Sequence, residues 1–333
     1  MNKNFKKALA YINSIPLERI NQVNRRVFEG DGAEVVVGLI KDYYIKQNYS
    51  QAVKIWEIYK DKYEDKVAKS PYLAFIVADS FLKLGLQSSF TRAYTALKKS
   101  GGFEKRTFPA WIEAHKTLPV ESYIEELDLL QNVYNKDWAK VSVILDKMNE
   151  DKKKELNYDY YKGLVNFHNK DYKASIKNFE KIITGPNKNN QLSLIQNINM
   201  LTSYVESLYQ AGDSETFRKN ALAVANDIEE TGNEKLMKVN EKIYYLLAED
   251  LFAGVKASKT LEKICKKFLM NFPNSEYQDR VNYLYGHSLA RNDKFRDARN
   301  VLNELVGKEE TPEYIKELAR SELSSLKIKE KSL

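Results

Sequence analysis

A short turn recurs along the chain, once at an offset of 34 residues and elsewhere at uneven spacing. Asn135-Lys136-Asp137-Trp138 returns as Asn169-Lys170-Asp171-Tyr172, 34 residues later. Related turns stand at Gln47-Asn48-Tyr49, Ala211-Gly212-Asp213 and Asn292-Asp293-Lys294-Phe295. Apolar residues between them step by three and four, as in Leu39-Ile40-Tyr43-Tyr44, Val53-Trp56-Tyr59 and Ile176-Phe179-Ile182-Ile183. Such spacing lays one apolar stripe along a helix. Sustained alternation of period two is absent, and Val35-Val36-Val37 continues at helical spacing to Tyr44. The pattern predicts short amphipathic helices joined in pairs.

The breakers agree. With 13 Gly and 7 Pro in 333 residues, glycine is at about 4% and proline at about 2%, below ordinary usage. That excludes collagen-like and many-turned β-sandwich chains. Ser70-Pro71 and Thr311-Pro312 read as a capping hydroxyl followed by proline in the first turn. Ten glycines, Gly30 and Gly32 among them, fall at predicted junctions; Gly38, Gly163 and Gly286 fall inside predicted helices. An interior glycine costs about 1 kcal/mol relative to alanine, so those three require a packing reason.

A 34-residue period of helical hairpins resembles the tetratricopeptide repeat family. The resemblance is clearest where Tyr160-Tyr161-Lys162-Gly163-Leu164 leads to Ser175, Phe179 and Ile182. It is equally clear where Tyr283-Leu284-Tyr285-Gly286 leads to Ala298, Leu302 and Leu305. Gly163 with Ser175, and Gly286 with Ala298, match the family's closest helix crossing. Weaker copies align around Ala52, Phe90 and Val141, with Phe90 departing from the small residue expected there. Lys266 to Leu305, with Phe272-Pro273-Asn274-Ser275 between hairpins, is similar to repeats of bacterial envelope-assembly proteins of the outer-membrane lipoprotein type. The resemblance implies an all-α, right-handed superhelical solenoid of about eight antiparallel hairpins, some divergent.

The expected organisation is a helical cap over 1–31, then divergent hairpins with an extra helix over 32–120. The extra helix is expected around Phe108 to Lys116, with Trp111. A repeat pair occupies 121–187, long-helix hairpins 188–255, C-terminal repeats 256–326 and a frayed basic tail 327–333.

Chemistry is sparse. His115, His168 and His287 have no metal-ligand partner three or four residues away, so no local zinc motif exists. The single Cys265 excludes an intrachain disulfide and lies on its helix's apolar phase, which reads as an inert buried thiol. Gly30-Asp31-Gly32 fits no phosphate loop and reads as a loop before a helix. No nucleophile-elbow pattern occurs. The expectation is a non-enzyme without cofactor, metal or small-molecule substrate.

Net charge is +7 but uneven: +8 over residues 1–120, −4 over 121–230 and +3 over 231–333. A uniformly basic nucleic-acid surface would differ. Lys152-Lys153-Lys154, the only run of three basic residues, reads as a solvated linker, with nucleic-acid contact as the sharper alternative. No run of about 18 apolar residues occurs, so no membrane span is expected. The stretch after Lys7 is too short and polar for a signal-peptide core. This favours a cytoplasmic protein; the alternative is a periplasmic one without its leader.

Carrying the family's groove positions onto this chain, the resemblance implies a concave face rich in tyrosine. Its N-terminal repeat gives Glu34, Lys41 and Tyr44. The middle gives Tyr72, Phe75, Asp79 and Lys83, then Tyr123, Glu126 and Tyr134, then Asn157, Tyr160, Phe167 and His168. The C-terminal repeat gives Arg280, Tyr283, His287 and Arg291. Tyrosine and arginine commonly anchor interfaces. The implied function is a protein-interaction scaffold or adaptor in a bacterial envelope or motility assembly. Its groove would hold a partner's peptide or helix, and self-association is compatible. The alternatives are tyrosines that fill space between hairpins, and a helical-repeat RNA binder. If Tyr160 and Tyr283 bind a partner, replacing both with alanine would spare the melting temperature; a large stability loss would place them in the core.

Overall fold

A computed structural model of the chain describes residues 5–14, 22–64, 70–99, 120–185, 192–254 and 258–331. These residues form α-helices and connecting turns, with no strand among them. Two compact units divide at Tyr161/Lys162. The first holds α1 (Phe5–Ser14), α2 (Gln22–Ile45), α3 (Tyr49–Tyr59), α4 (Pro71–Lys83), α5 (Gln87–Lys99), α6 (Val120–Tyr134), α7 (Trp138–Asp146) and α8 (Glu150–Glu155). Helix α9 (Tyr158–His168) spans the division. The second unit continues with α10 (Tyr172–Ile183), α11 (Leu194–Gln210), α12 (Ser214–Thr231), α13 (Met237–Ala253), α14 (Ser258–Asn271), α15 (Gln278–Arg291), α16 (Phe295–Gly307) and α17 (Glu313–Lys331).

The recurring turn has one construction. In six of these turns the residue two before the second helix is left-handed: Gln47, Gly85, Lys136, Lys170, Gly212 and Asp293 have φ between 57° and 80°. At Lys170 the amide donates to Phe167 O at 3.0 Å, and the Asp171 amide donates to Asn166 O at 2.9 Å. The same two bonds recur at Gln47/Asn48, Gly85/Leu86 and Lys136/Asp137. This pair of bonds is a Schellman C-cap, which satisfies the last carbonyls of the helix. The next residue is already the N-cap of the following helix. Asn48, Asp137, Asp171 and Asp213 each accept an amide three residues on, at 3.1–3.4 Å. Two residues thus end one helix and begin the next, which forces an antiparallel hairpin.

Neighbouring helices pack in sequence order. The first helices of successive hairpins also touch: α2 with α4 in unit 1, and α11 with α13, α13 with α15 and α15 with α17 in unit 2. Second helices lie farther apart among the described residues. The core sits between the rows, with Phe179, Phe217, Phe268, Leu302 and Cys265 buried in unit 2. Burial pushes the Cys265 thiol pKa upward. Hairpin crossings are close at the interior glycines. A Cβ on Gly163 would sit 2.4 Å from Phe179 Cε1, and one on Gly286 would sit 2.8 Å from the Leu302 side chain. Ser175 Oγ donates to Gly163 O at 3.0 Å.

Several local expectations are corrected. Gly30 and Gly32 lie inside α2, not at a junction. The buried face Ala33, Val36, Leu39, Ile40 and Tyr44 outweighs a glycine cost of about 1 kcal/mol each. Lys152 and Lys153 belong to the short helix α8, capped by Asn149, where Lys152 pairs with Glu125 of α6 and Lys153 with Glu150. They are tied down, not a solvated linker. The tail is helical through Lys331, since Leu326 remains buried and holds that end in register. The extra helix expected over Phe108 to Lys116, with Trp111 and His115, lies outside the described residues.

The turn makes a stability prediction. A left-handed non-glycine residue costs about 1–2 kcal/mol, so Lys170→Gly should raise stability by a few tenths to about 1 kcal/mol once glycine's chain entropy is subtracted. Asp171→Ala should lower it by about 1 kcal/mol through loss of the cap. Denaturant melts of both variants check the opposed signs.

Candidate functional site

In unit 1 the candidates converge on a buried carboxylate. Asp79 of α4 is fully buried and accepts hydroxyl hydrogen bonds from Tyr44 of α2 and Tyr123 of α6. One side chain therefore joins three helices. Burial, then the Asp79 charge, holds both tyrosine pKa values well above the ordinary range. Phe75 is buried edge-on to Tyr123, with centroids 6.4 Å apart. Lys41 Nζ lies 4.4 Å from the Tyr72 ring centre, and Lys83 Nζ 5.6 Å from that of Tyr123. Tyr134 packs edge-on against Phe90 at 6.0 Å, and burial, then Glu126, pushes its pKa to about 12. Phe90 itself is buried and stacked on Tyr94. Tyr160 is fully buried, edge-on to Tyr161. Phe75, Asp79, Tyr123 and Tyr160 are therefore core side chains.

In unit 2, Phe167 contacts the rings of His168 and Tyr172, and His168 is exposed. The C-terminal candidates come together. Arg280 donates from Nε and Nη2 to the two carboxylate oxygens of Glu249 on α13, at 2.7 and 2.8 Å. Its guanidinium lies 5.5 Å from the ring centres of both Phe252 and Tyr283. The Glu249 bonds raise the Arg280 pKa further. Tyr283 is buried at 5% exposure. His287 meets Phe252 edge-on at 4.9 Å, and its Nδ1 lies 3.1 Å from Glu322 Oε2 on α17. Arg291 is exposed one turn beyond.

Each contact along this first-helix row is crossed by a polar pair that includes a carboxylate. Lys242 of α13 meets Glu206 of α11 at 3.0 Å, Arg280 meets Glu249, and His287 meets Glu322. The groups missed from the sequence lie between them. Tyr245 and Tyr277 stack 4.2 Å apart and 10° from parallel, with Lys242 Nζ 5.8 and 5.3 Å from their ring centres. Tyr209 lies near Tyr245 and edge-on to Phe217, and Phe252 stands further along the same face of α13, edge-on to Tyr283. Tyr209, Tyr245, Phe252 and Tyr277 are all half-buried. Their signal was present: Lys242, Tyr245, Glu249 and Phe252 step by three and four along α13. The irregular length of this hairpin removed the alignment that would have pointed to them.

A cavity of about 120 Å³ opens where α13 ends beside α15, lined by Leu251, Phe252, Ala253, Gly254, Leu261, His287, Ser288 and Arg291. No cluster of three metal-ligating side chains occurs among the described residues, and no described helix is long and apolar enough to cross a membrane. Comparison with protein-family models, curated proteins and solved structures found no match.

Two predictions follow from these contacts. Asp79→Ala leaves two buried hydroxyls without their acceptor, and at about 1–3 kcal/mol each unit 1 should lose about 3 kcal/mol or more. Asp79→Asn keeps an acceptor and should lose distinctly less, as urea melts would show. Tyrosine ionisation supplies the second. Folded-state values raised above 10, to about 12 at Tyr245, chiefly by burial, favour the protonated native state. That stability is intact below pH 10 and is lost as pH rises toward 12. Absorbance at the tyrosinate band should lag behind free tyrosine, then rise together with loss of helix.

Proposed function

We propose that this chain is a non-enzymatic protein-interaction scaffold, with the first-helix row of unit 2 as its partner-binding face. The observation that carries this is the half-buried aromatic band of Tyr209, Tyr245, Tyr277 and Phe252, set among charges that already neutralise one another. Rigid aromatic rings offer contact area at little entropic cost. The paired charges supply orientation without leaving a buried ion unmatched on binding. First helices pack closer than second helices, which supports a reading with this row on the inner side of a curved stack, where solenoid proteins commonly bind.

The same reading carries the finer architecture. The hairpin turns and the glycine crossings at Gly163 and Gly286 support a tetratricopeptide-like right-handed solenoid. The envelope-type pattern over Lys266 to Leu305 supports an adaptor role in a bacterial assembly. The partner face shifts from the positions first aligned: Tyr245 and Tyr277 lead, while Tyr160 and Tyr283 serve the core. A helical-repeat RNA binder is disfavoured because the row has no excess of cations.

The test is capture from native extract on immobilised chain at moderate salt. Tyr245→Gln with Tyr277→Gln should reduce retention of a specific protein at least tenfold. The melting temperature should fall by no more than about 4 °C, the shift expected for roughly 1 kcal/mol in a chain of this size. Equal retention by the variant, or retention of RNA with a steep salt dependence, would overturn the proposal.

A further inference from the structure

The cavity between α13 and α15 contains more than the aromatic band requires. Its floor is Leu251 and Leu261, both buried. One wall is the Phe252 ring, held edge-on to His287, whose own orientation is fixed by Glu322. The opposite wall opens because α13 stops: Gly254 leaves the helix extended, at φ −92° and ψ 126°. Arg291 stands at the lining and is exposed, and it makes no ion pair among the described residues. By contrast, Arg280, Lys242 and His287 of the same row all face carboxylates.

Volume and charge together select a ligand. The cavity holds about 120 Å³, somewhat less than the roughly 150 Å³ apolar cavity that accepts a benzene ring. A branched aliphatic side chain matches that space better than an indole. A guanidinium with no carboxylate of its own favours an anion beside the pocket, because charge-assisted hydrogen bonds are the strong ones.

We propose that this cavity is the anchor pocket of the partner segment. It takes one leucine-like side chain, with the carboxylate of that residue or of its neighbour bound by Arg291. The inference rests on the scaffold reading above and specifies its ligand: an aliphatic-acidic peptide, not a basic or aromatic one.

The probe is N-acetyl-L-leucine, titrated into the full chain carrying labelled methyl groups. Saturable binding in the millimolar range is expected, with shifts concentrated at Leu251, Ala253 and Leu261. N-acetyl-leucinamide, which lacks the carboxylate, and Arg291→Ala should each weaken binding about fivefold or more. N-acetyl-tryptophan should not compete. Ala253→Trp, at an exposed position on the cavity edge, should abolish the response without altering the methyl spectrum of unit 1. No saturation, shifts elsewhere, or equal binding of the acid and the amide would overturn the pocket. Protein capture separates the two readings. If Ala253→Trp still retains the partner that Tyr245→Gln with Tyr277→Gln loses, the pocket fails and the scaffold stands. If the probe binds but wild type captures no protein, the scaffold fails and a small carboxylate site remains.

Discussion

The hairpin depends on how its turn disposes of backbone polar groups. A helix ends with unsatisfied carbonyls and begins with unsatisfied amides. In the recurring turn, one left-handed residue returns two amides to the carbonyls behind it, and the next side chain caps the amides ahead. The economy is strict enough that Gln47, Lys136, Lys170 and Asp293 adopt a conformation usually left to glycine. Their strain is tolerated because a longer loop would leave those groups to water and release the angle between the helices. With that angle fixed, each hairpin presents two apolar stripes, and stacking is the way to bury both.

Stacking then creates a row of first helices whose contacts are partly polar. In unit 1 the solution is a single buried carboxylate, Asp79, satisfied by two tyrosine hydroxyls. In unit 2 it is a series of carboxylate-centred pairs across successive helices: Lys242–Glu206, Arg280–Glu249 and the His287–Glu322 contact. The two differ energetically. A buried group needs every partner, since losing one leaves an orphan in low dielectric. The unit 2 pairs keep only 15–29% of their side-chain surface exposed; each is still reached by water, and together they set register between neighbouring helices while the aromatic rings between them stay partly open. Thus the carboxylate-centred cluster of unit 1 acts as core, and the proposed binding face lies in unit 2.

The binding reading follows from what the charges leave undone. Arg280 lies between two aromatic rings and in a bidentate pair, so it is a structural cation. Tyr245 and Tyr277 stack on each other while keeping part of each ring in solvent. Arg291, beside a small cavity of mixed lining, is the cation of this group without a carboxylate among the described residues. Position relative to the neighbouring helix separates these roles, not residue type.

By itself the sequence determined that the chain is helical and paired. The three-four apolar spacing and the Asn/Asp before each second helix are local properties, readable without neighbours. Close crossings at Gly163 and Gly286 were also legible, because a glycine inside a helix needs a reason. Gly30 and Gly32 were not. Their helix is held by the buried face from Ala33 to Tyr44, a tertiary gain that local propensity does not contain. Which tyrosines are buried was likewise decided by tertiary structure. Tyr160 and Tyr245 look alike in sequence, each on an amphipathic helix. Burial depends on which side chains the fold brings alongside: Tyr160 is enclosed beside Tyr161, whereas Tyr245 meets the Tyr277 ring and remains half open. Pair interactions between helices 30 or more residues apart fix that outcome, as with Glu249 and Arg280, and no local pattern encodes them.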